Sequence, residues 1–346
     1  MNSPAVKPPL VSVSVPTYNG AEFLRECLVS LQAQTLRDFE VIIVDDESAD
    51  GTVAIAESFA ATDARFRIHR NPRRLGLVGN WNHCLGLARG EWIKFLFQDD
   101  LLESRCLERL VTACESHGAR LGFCQRHVLF DGAVAADLKD YFGRHQQLLA
   151  EIYGAQDSFL DARAFARAAS ANLDWNLLGE PTVVLFHRSV VGEFGLPQPQ
   201  MIQRCDSEYW LRIGTNTGVA HVAEKLATFR VHGQSTTSKN ISKRDYRARF
   251  VDPLLQHWLI LHEENYARLR GELCRNEGSL LNWWRLVWAA NHAREMAFTP
   301  SAEPALRAEW LAVAAAFPNL ETLARIGKCF TTLRALVPVK GKNGAA

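Results

Sequence analysis

The stretch Glu91-Trp92-Ile93-Lys94-Phe95-Leu96-Phe97-Gln98-Asp99-Asp100 reads as a strand that ends on two adjacent carboxylates. Three more strands precede it. Val11-Ser12-Val13-Ser14-Val15 alternates with period two and breaks at Pro16. Phe39 to Val44 is a near-continuous apolar run, the pattern of a buried parallel strand. Phe66-Arg67-Ile68-His69 is the third. Helix signals lie between them. Phe23, Leu24, Cys27, Leu28 and Leu31 make one apolar face, with Asn19-Gly20 ahead of it as a start. A second helix opens after Asp50-Gly51, with Val53, Ile55, Ala56 and Phe59 inward, and a third runs from Asn80 to Ala88. Repeated strand–helix units predict an α/β protein, its mostly parallel sheet flanked by helices on both faces.

Such sheets bind ligands beyond the carboxyl ends of their strands. Pro16-Thr17-Tyr18-Asn19, Asp45-Asp46 and Asp99-Asp100 all fall there, so three polar clusters are expected to meet on one edge. Adjacent carboxylates repel unless a cation offsets them, and hard oxygen ligands suit Mg²⁺ or Mn²⁺ held together with substrate phosphates. A solvated acidic turn or a helix cap is the other use of such a pair. A carboxylate at the Asp45-Asp46 edge suits a base N–H or ribose hydroxyls, whereas Asp50 reads as a cap.

With 346 residues there is room for one large domain or two of ordinary size. A hydrophobic content of 47% and a charged content of 22% are those of a soluble globular protein. The net charge of +1 carries no basic excess and argues against nucleic-acid binding. Eight cysteines with no CxxC, several inside apolar-periodic segments, predict free thiols in a reducing compartment. Met1 to Leu10 is a polar lead with three prolines and no apolar core like that of a signal peptide. No stretch reaches the roughly 18 to 20 apolar residues that span a bilayer. These features predict a soluble, cytoplasmic chain, free to lie peripherally against the inner membrane face. From about Arg120 the pattern is mixed, with strand signals at Leu121–Phe130, Pro181–His187 and Gly218–Arg230 and a helix at Asp206–Ile213. After Asn240 it turns helical and rich in Trp and Arg, so a boundary is placed near residue 240.

Val15-Pro16-Thr17-Tyr18-Asn19, Val44-Asp45-Asp46-Glu47-Ser48-Ala49-Asp50-Gly51-Thr52 and the Gly90–Asp100 segment resemble glycosyltransferase family 2. The likeness is dense from Val11 to about Leu110, sparser to about Ser238 and absent beyond. It implies a GT-A fold over residues 1–240, with 1–125 as the nucleotide-sugar half and 126–240 as the acceptor half, then a helical region at 241–346. It also implies an inverting, metal-dependent, hexosyltransferase-type enzyme using Mn²⁺ or Mg²⁺. The donor would be a UDP-, GDP- or dTDP-linked sugar. A saccharide or lipid-linked acceptor is expected, in cell-surface polysaccharide or glycolipid assembly.

The resemblance assigns roles. Pro16, Thr17, Tyr18 and Asn19 would line the nucleotide site, with Tyr18 offering a stacking face, and Asp46 would accept a uracil-type N–H. Arg74, or equally Arg73, would lie at the nucleotide; Asn80 and Asn82 would sit near the ribose or donor sugar, Asn82 alternatively serving as a helix-face amide. Asp99 would contact ribose or metal and Asp100 would bind metal most directly, although Gln98-Asp99-Asp100 departs from the common Asp-x-Asp. Asp206 occupies the position of the family's base, where Cys205 replaces the usual Glu, and Glu208 is the fallback; an Asp opening a helix is otherwise a cap. In Phe229-Arg230-Val231-His232-Gly233-Gln234-Ser235-Thr236, His232 would reach the metal or diphosphate and Arg230 would brace the site. Glu180, in Gly179-Glu180-Pro181-Thr182, would lie under the acceptor, and Trp175 would stack on a sugar or belong to the core.

Two rivals are weighed. A dinucleotide oxidoreductase needs a glycine-rich turn after its first strand, and Pro16-Thr17-Tyr18-Asn19-Gly20 is not GxGxxG. A catalytically weak nucleotide-sugar-binding or scaffold protein on the same fold would lose Asp100 or Asp206, and both are present. In the tail, Leu280, Leu281, Trp283, Trp284, Leu286, Val287 and Trp288 beside Arg285 and Arg294 suit a helix packed on the catalytic domain or one lying on an anionic membrane.

Overall fold

The computed structural model describes residues 7–132, 136–233, 235 and 245–336. The expected boundary near residue 240 lies outside these, as do Gln234 and Thr236. Among the described residues one sheet holds nine strands: β1 (Val11–Thr17), β2 (Phe39–Asp45), β3 (Phe66–Arg70), β4 (Trp92–Phe95), β5 (Leu101–Leu102), β6 (Leu121–Phe130), β7 (Ser158–Leu160), β8 (Val184–His187) and β9 (Val219–Val231). Their order is β3-β2-β1-β4-β8-β6-β9-β5, and β7 pairs with β9. The long ladders, β1–β4 among themselves and β6 with β9, are parallel. The antiparallel ladders run for only two or three residue pairs. The sheet is therefore mostly parallel, as the strand–helix alternation predicts.

Helices α1 (Leu24–Gln32), α2 (Thr52–Ala60), α3 (Leu77–Leu87), α4 (Cys106–His117), α5 (Ala136–Tyr153), α6 (Ala162–Ala171), α7 (Ser189–Phe194) and α8 (Cys205–Thr217) connect the strands. The period-two pattern of β1 suggests one wet face, yet Ser12 and Ser14 are as buried as Val11, Val13 and Val15. The Ser12 hydroxyl donates to Glu40 at 2.6 Å and accepts the Gly90 amide at 2.8 Å, so this polar group is satisfied inside the fold. Cys27, Cys84, Cys106, Cys114, Cys124 and Cys205 are buried free thiols.

Among the described residues the C-terminal region holds five α-helices: α9 (Asp252–His262), α10 (Ala267–Glu277), α11 (Ser279–Phe298), α12 (Pro304–Ala316) and α13 (Leu320–Leu336). Leu254, Leu255, Leu269, Leu273, Leu286, Val287 and Trp310 belong to the same contiguous core as the strands, so the region packs onto the sheet and its helices. Of the apolar cluster in α11, Leu286 and Val287 are buried and Trp284 packs against the core, whereas Leu280, Leu281, Trp283 and Trp288 stay exposed. Apolar residues that surround a helix cannot all face one partner. No helix among the described residues is long and apolar enough to cross a membrane.

Candidate active site

Because β1, β2 and β4 are parallel, their carboxyl ends share one edge. β8 runs antiparallel to β4 and so begins at that edge, bringing Glu180 to Val183 beside the Asp pair. A cleft of about 550 Å³ opens there, a size suited to a small-molecule ligand. From the first half it is lined by Pro16, Thr17, Tyr18, Asn19, Asp46, Arg74, Asn80 and Asp99; from the second by Glu180, Asp206, Arg230 and His232. Asn82, Asp100, Trp175 and Glu208 do not line it. A larger hollow of about 740 Å³ lies at the opposite strand ends, between Lys7–Leu10 and Arg188–Gly192, and holds none of these residues.

In the part of the cleft formed by the first half, the Arg74 guanidinium stands 3.9 Å from the Tyr18 ring centroid. Arg74 lines the cleft and Arg73 does not. Gln98 holds the Tyr18 backbone from both sides, accepting its amide at 2.9 Å and donating to its carbonyl at 3.1 Å. A Cβ on Gly20 would lie 2.2 Å from the Gln98 Oε1, so a side chain there would push the Gln98 carboxamide off the Tyr18 backbone. Asp46 is 3% exposed; its Oδ1 accepts the Leu75 amide (2.7 Å) and Asn71 Nδ2 (2.8 Å), its Oδ2 the Gly76 amide (2.9 Å). The carboxylate thus first holds the loop that carries Arg74, and one Oδ2 lone pair remains for a base N–H. Asn80 donates to the Val44 carbonyl and accepts from Asn71, bracing the same corner. Asn82 donates instead to the Pro197 carbonyl at 3.2 Å.

The Asp pair divides its work in the opposite sense from that expected. Asp100 is fully buried: its Oδ2 accepts the Thr182 hydroxyl and its Oδ1 the Arg230 amide at 2.9 Å. Burial, with Asp99 beside it, pushes its pKa well up. It ties β8 and β9 to the strand end and does not reach the cleft. Asp99 does, and its Oδ2 lies 3.0 Å from His232 Nε2. Arg230 donates to the Asp99 carbonyl at 3.0 Å and pairs with Glu26 at 2.7 Å, its guanidinium over Phe23. One carboxylate oxygen and one imidazole nitrogen fit Mn²⁺ or Mg²⁺ completed by substrate oxygens. Among the described residues no group of three His, Cys, Asp or Glu side chains forms a closed cage.

Asp206 lies in the first turn of α8, and its Oδ1 accepts the amide of the next residue, Ser207, at 2.7 Å. Its Oδ2 accepts Asn176 Nδ2 at 3.0 Å, and the carboxylate lines the cleft as well. Burial, reinforced by the negative charges of Glu180 and Asp252, raises its pKa to about 7. Glu180 is held in turn by Arg126 at 2.6 Å. Glu208 is no alternative base: fully buried, it pairs with Arg212 at 2.9 Å and accepts the Tyr266 hydroxyl. Trp175 stacks against Tyr141 and His145 and packs on the core.

Sequence reasoning missed Asn176, Gln98 and Arg126, because each acts through a partner dozens of residues away. Thr182 was visible in Gly179-Glu180-Pro181-Thr182, but its bond to Asp100 was not.

Comparison with known proteins bears on the family and the fold. The family described as Glycosyl transferase family 2 matches residues 12–163. EpsH of Bacillus subtilis, which its name describes as a glycosyltransferase, is 30% identical over 267 residues, covering 76% of this chain and 70% of that one. The fold is shared with Staphylococcus aureus TarS in complex with UDP (TM-score 0.57, 16% identity, 96% of this chain and 94% of that one). It is shared too with the mannosyltransferase PcManGT of Pyrobaculum calidifontis in complex with GDP-Man and Mn²⁺ (TM-score 0.57, 18% identity, 98% and 89%). Identity sustained along most of EpsH, over strand ends that carry the family's motifs in their order, shows that the chain is an enzyme belonging to glycosyltransferase family 2.

Proposed function

We propose that the chain transfers a sugar from a nucleoside diphosphate donor to an acceptor hydroxyl by single displacement, with inversion at the anomeric carbon. The observation that carries this reading is a cleft-facing Asp206, its pKa near 7, on the same cavity as Asp99 and His232. Residues 1–240 form the catalytic unit. Tyr18 and Arg74 receive the base, Asp46 keeps the Arg74 loop in place, and Asp99 with His232 would hold Mn²⁺ or Mg²⁺ beside the diphosphate. When bound, that cation neutralises charge on the departing diphosphate. Asp206 takes the acceptor proton as the acceptor oxygen bonds to the anomeric carbon and the bond to the diphosphate breaks. Arg230 sits next to Asp99 and adds positive charge at the leaving-group end.

Neighbours of the same fold that carry UDP or GDP-Man support the donor class. The acceptor is a saccharide or lipid-linked saccharide in cell-surface polysaccharide or glycolipid assembly. Exposed Leu280, Leu281, Trp283 and Trp288, with Arg285 on the same helix, suit peripheral contact with an anionic cytoplasmic membrane face. Thermal shift with UDP-, GDP- and dTDP-sugars, each with and without Mn²⁺, tests the donor assignment. A cation-dependent shift with one of them is expected; no shift with any would sink it.

A further inference from the structure

We infer that Asn176 is a positioning residue for the base, an assignment that rests on the reading of Asp206 as general base. Asn176 Nδ2 donates to Asp206 Oδ2 at 3.0 Å and to the Gly179 carbonyl at 2.8 Å. Its Oδ1 accepts the amides of Leu178 at 3.2 Å and Gly179 at 3.0 Å. Its own carbonyl is bound by the His145 ring. A carboxamide held at so many points presents its N–H to Asp206 before any substrate arrives. The Ser207 amide occupies the other Asp206 oxygen at 2.7 Å. One N–H on each oxygen orients the carboxylate and leaves each oxygen a lone pair for an acceptor hydroxyl.

The support is itself anchored. Arg126 of β6, with a side chain 1% exposed, bonds His145 Nδ1 at 2.9 Å and pairs with Glu180 at 2.6 Å. The loop carrying Asn176 is thereby tied to both α5 and the central sheet. An N–H donated to a carboxylate favours its charged form, so Asn176 opposes the effects of burial and of Glu180 on Asp206.

Two substitutions separate this role from turn formation. Asn176→Asp keeps an oxygen for the Leu178 and Gly179 amides but donates nothing to Asp206; Asn176→Ala removes both functions. Release of nucleoside diphosphate is followed from about pH 5 to about pH 9, using UDP-GlcNAc or GDP-mannose, whichever the wild type turns over. Both variants should bind UDP or GDP within about twofold of wild type, lose about tenfold or more in kcat, and shift the acidic limb of the profile upward by about half a unit or more. An unmoved limb in both overturns the inference and leaves Asn176 a turn former; if the Asp variant does not fold, the alanine limb decides. Asp206→Asn is run in parallel. Retained turnover there sinks the base reading and this inference with it, whereas lost turnover with unmoved limbs sinks Asn176 alone.

Discussion

The Asp252 carboxylate accepts the Arg204 backbone amide at 2.9 Å, linking the start of α9 to the turn that leads into α8. The same carboxylate accepts the amides of Ile202, at 3.0 Å, and Gln203. Ile202 and Gln203 line the cleft, and Asp206 follows two residues after Arg204. Asp252 thus joins the C-terminal region to the segment that leads into Asp206, and buried Gln256 adds a second link by accepting from Arg204 Nη1 at 3.2 Å.

Asp252→Ala should leave three amides without their acceptor, at a cost of about 3 kcal/mol in stability. Turnover should fall about tenfold or more, because the loop before Asp206 loses its anchor. Urea unfolding and donor turnover on the same preparation check both halves. Wild-type turnover in the variant would show that the joint does not serve catalysis.

Activity should rise with pH through about 7 and then level, since Asp206 must be deprotonated to act as a base and its pKa stands at about 7. Asp206→Asn should lose about a hundredfold or more in kcat with donor affinity retained. Stability changes in the opposite direction. Native Asp206 keeps its proton between the ordinary carboxylate range and about 7, so its contribution is full below that range and is lost as pH rises through about 7. The Asn variant should therefore gain in Tm relative to wild type between pH 5 and pH 8. A constant Tm difference would count against the raised pKa.

Asp99 and Asp100 should respond differently to substitution. Asp99→Asn should melt like wild type but lose the Mn²⁺-dependent thermal shift with nucleotide. Asp100→Ala should destabilise by about 2 kcal/mol, because the Thr182 hydroxyl and the Arg230 amide lose their acceptor. Chelator should abolish turnover and Mn²⁺ or Mg²⁺ restore it. Full activity in excess chelator would remove the cation from the proposal.

Glu208→Gln should leave the Arg212 guanidinium buried without its charge partner and destabilise the fold by about 3 kcal/mol or more. Turnover per folded molecule should stay close to wild type. A loss of kcat comparable with that of Asp206→Asn would restore Glu208 as the base.

Replacing Leu280, Leu281, Trp283 and Trp288 together by Ser should reduce co-sedimentation with anionic phosphatidylglycerol vesicles and leave the melting temperature close to wild type. These side chains are exposed, so the change removes membrane contact without opening the core. Equal pelleting of variant and parent would clear α11 of that role.

The first hundred residues were legible because their information is local. Apolar runs bounded by Asn-Gly and Asp-Gly define strands and helices, and parallel order then forces Thr17, Asp45 and Asp99 onto one edge. The family motifs pointed to Asp206 and His232, which composition alone leaves ordinary, and both line the cleft. Three-dimensional packing decided the rest. Asp99 and Asp100 are chemically identical neighbours, and only the arrival of Thr182 and Arg230 buries the second and leaves the first at the cleft. Likewise Asn176 and Asp252 carry no local signal, because their partners lie 30 and 48 to 50 residues away in the chain. Periodicity records which side of an element is buried; which buried polar groups find one another depends on how distant segments meet, and that is a property of the folded chain alone.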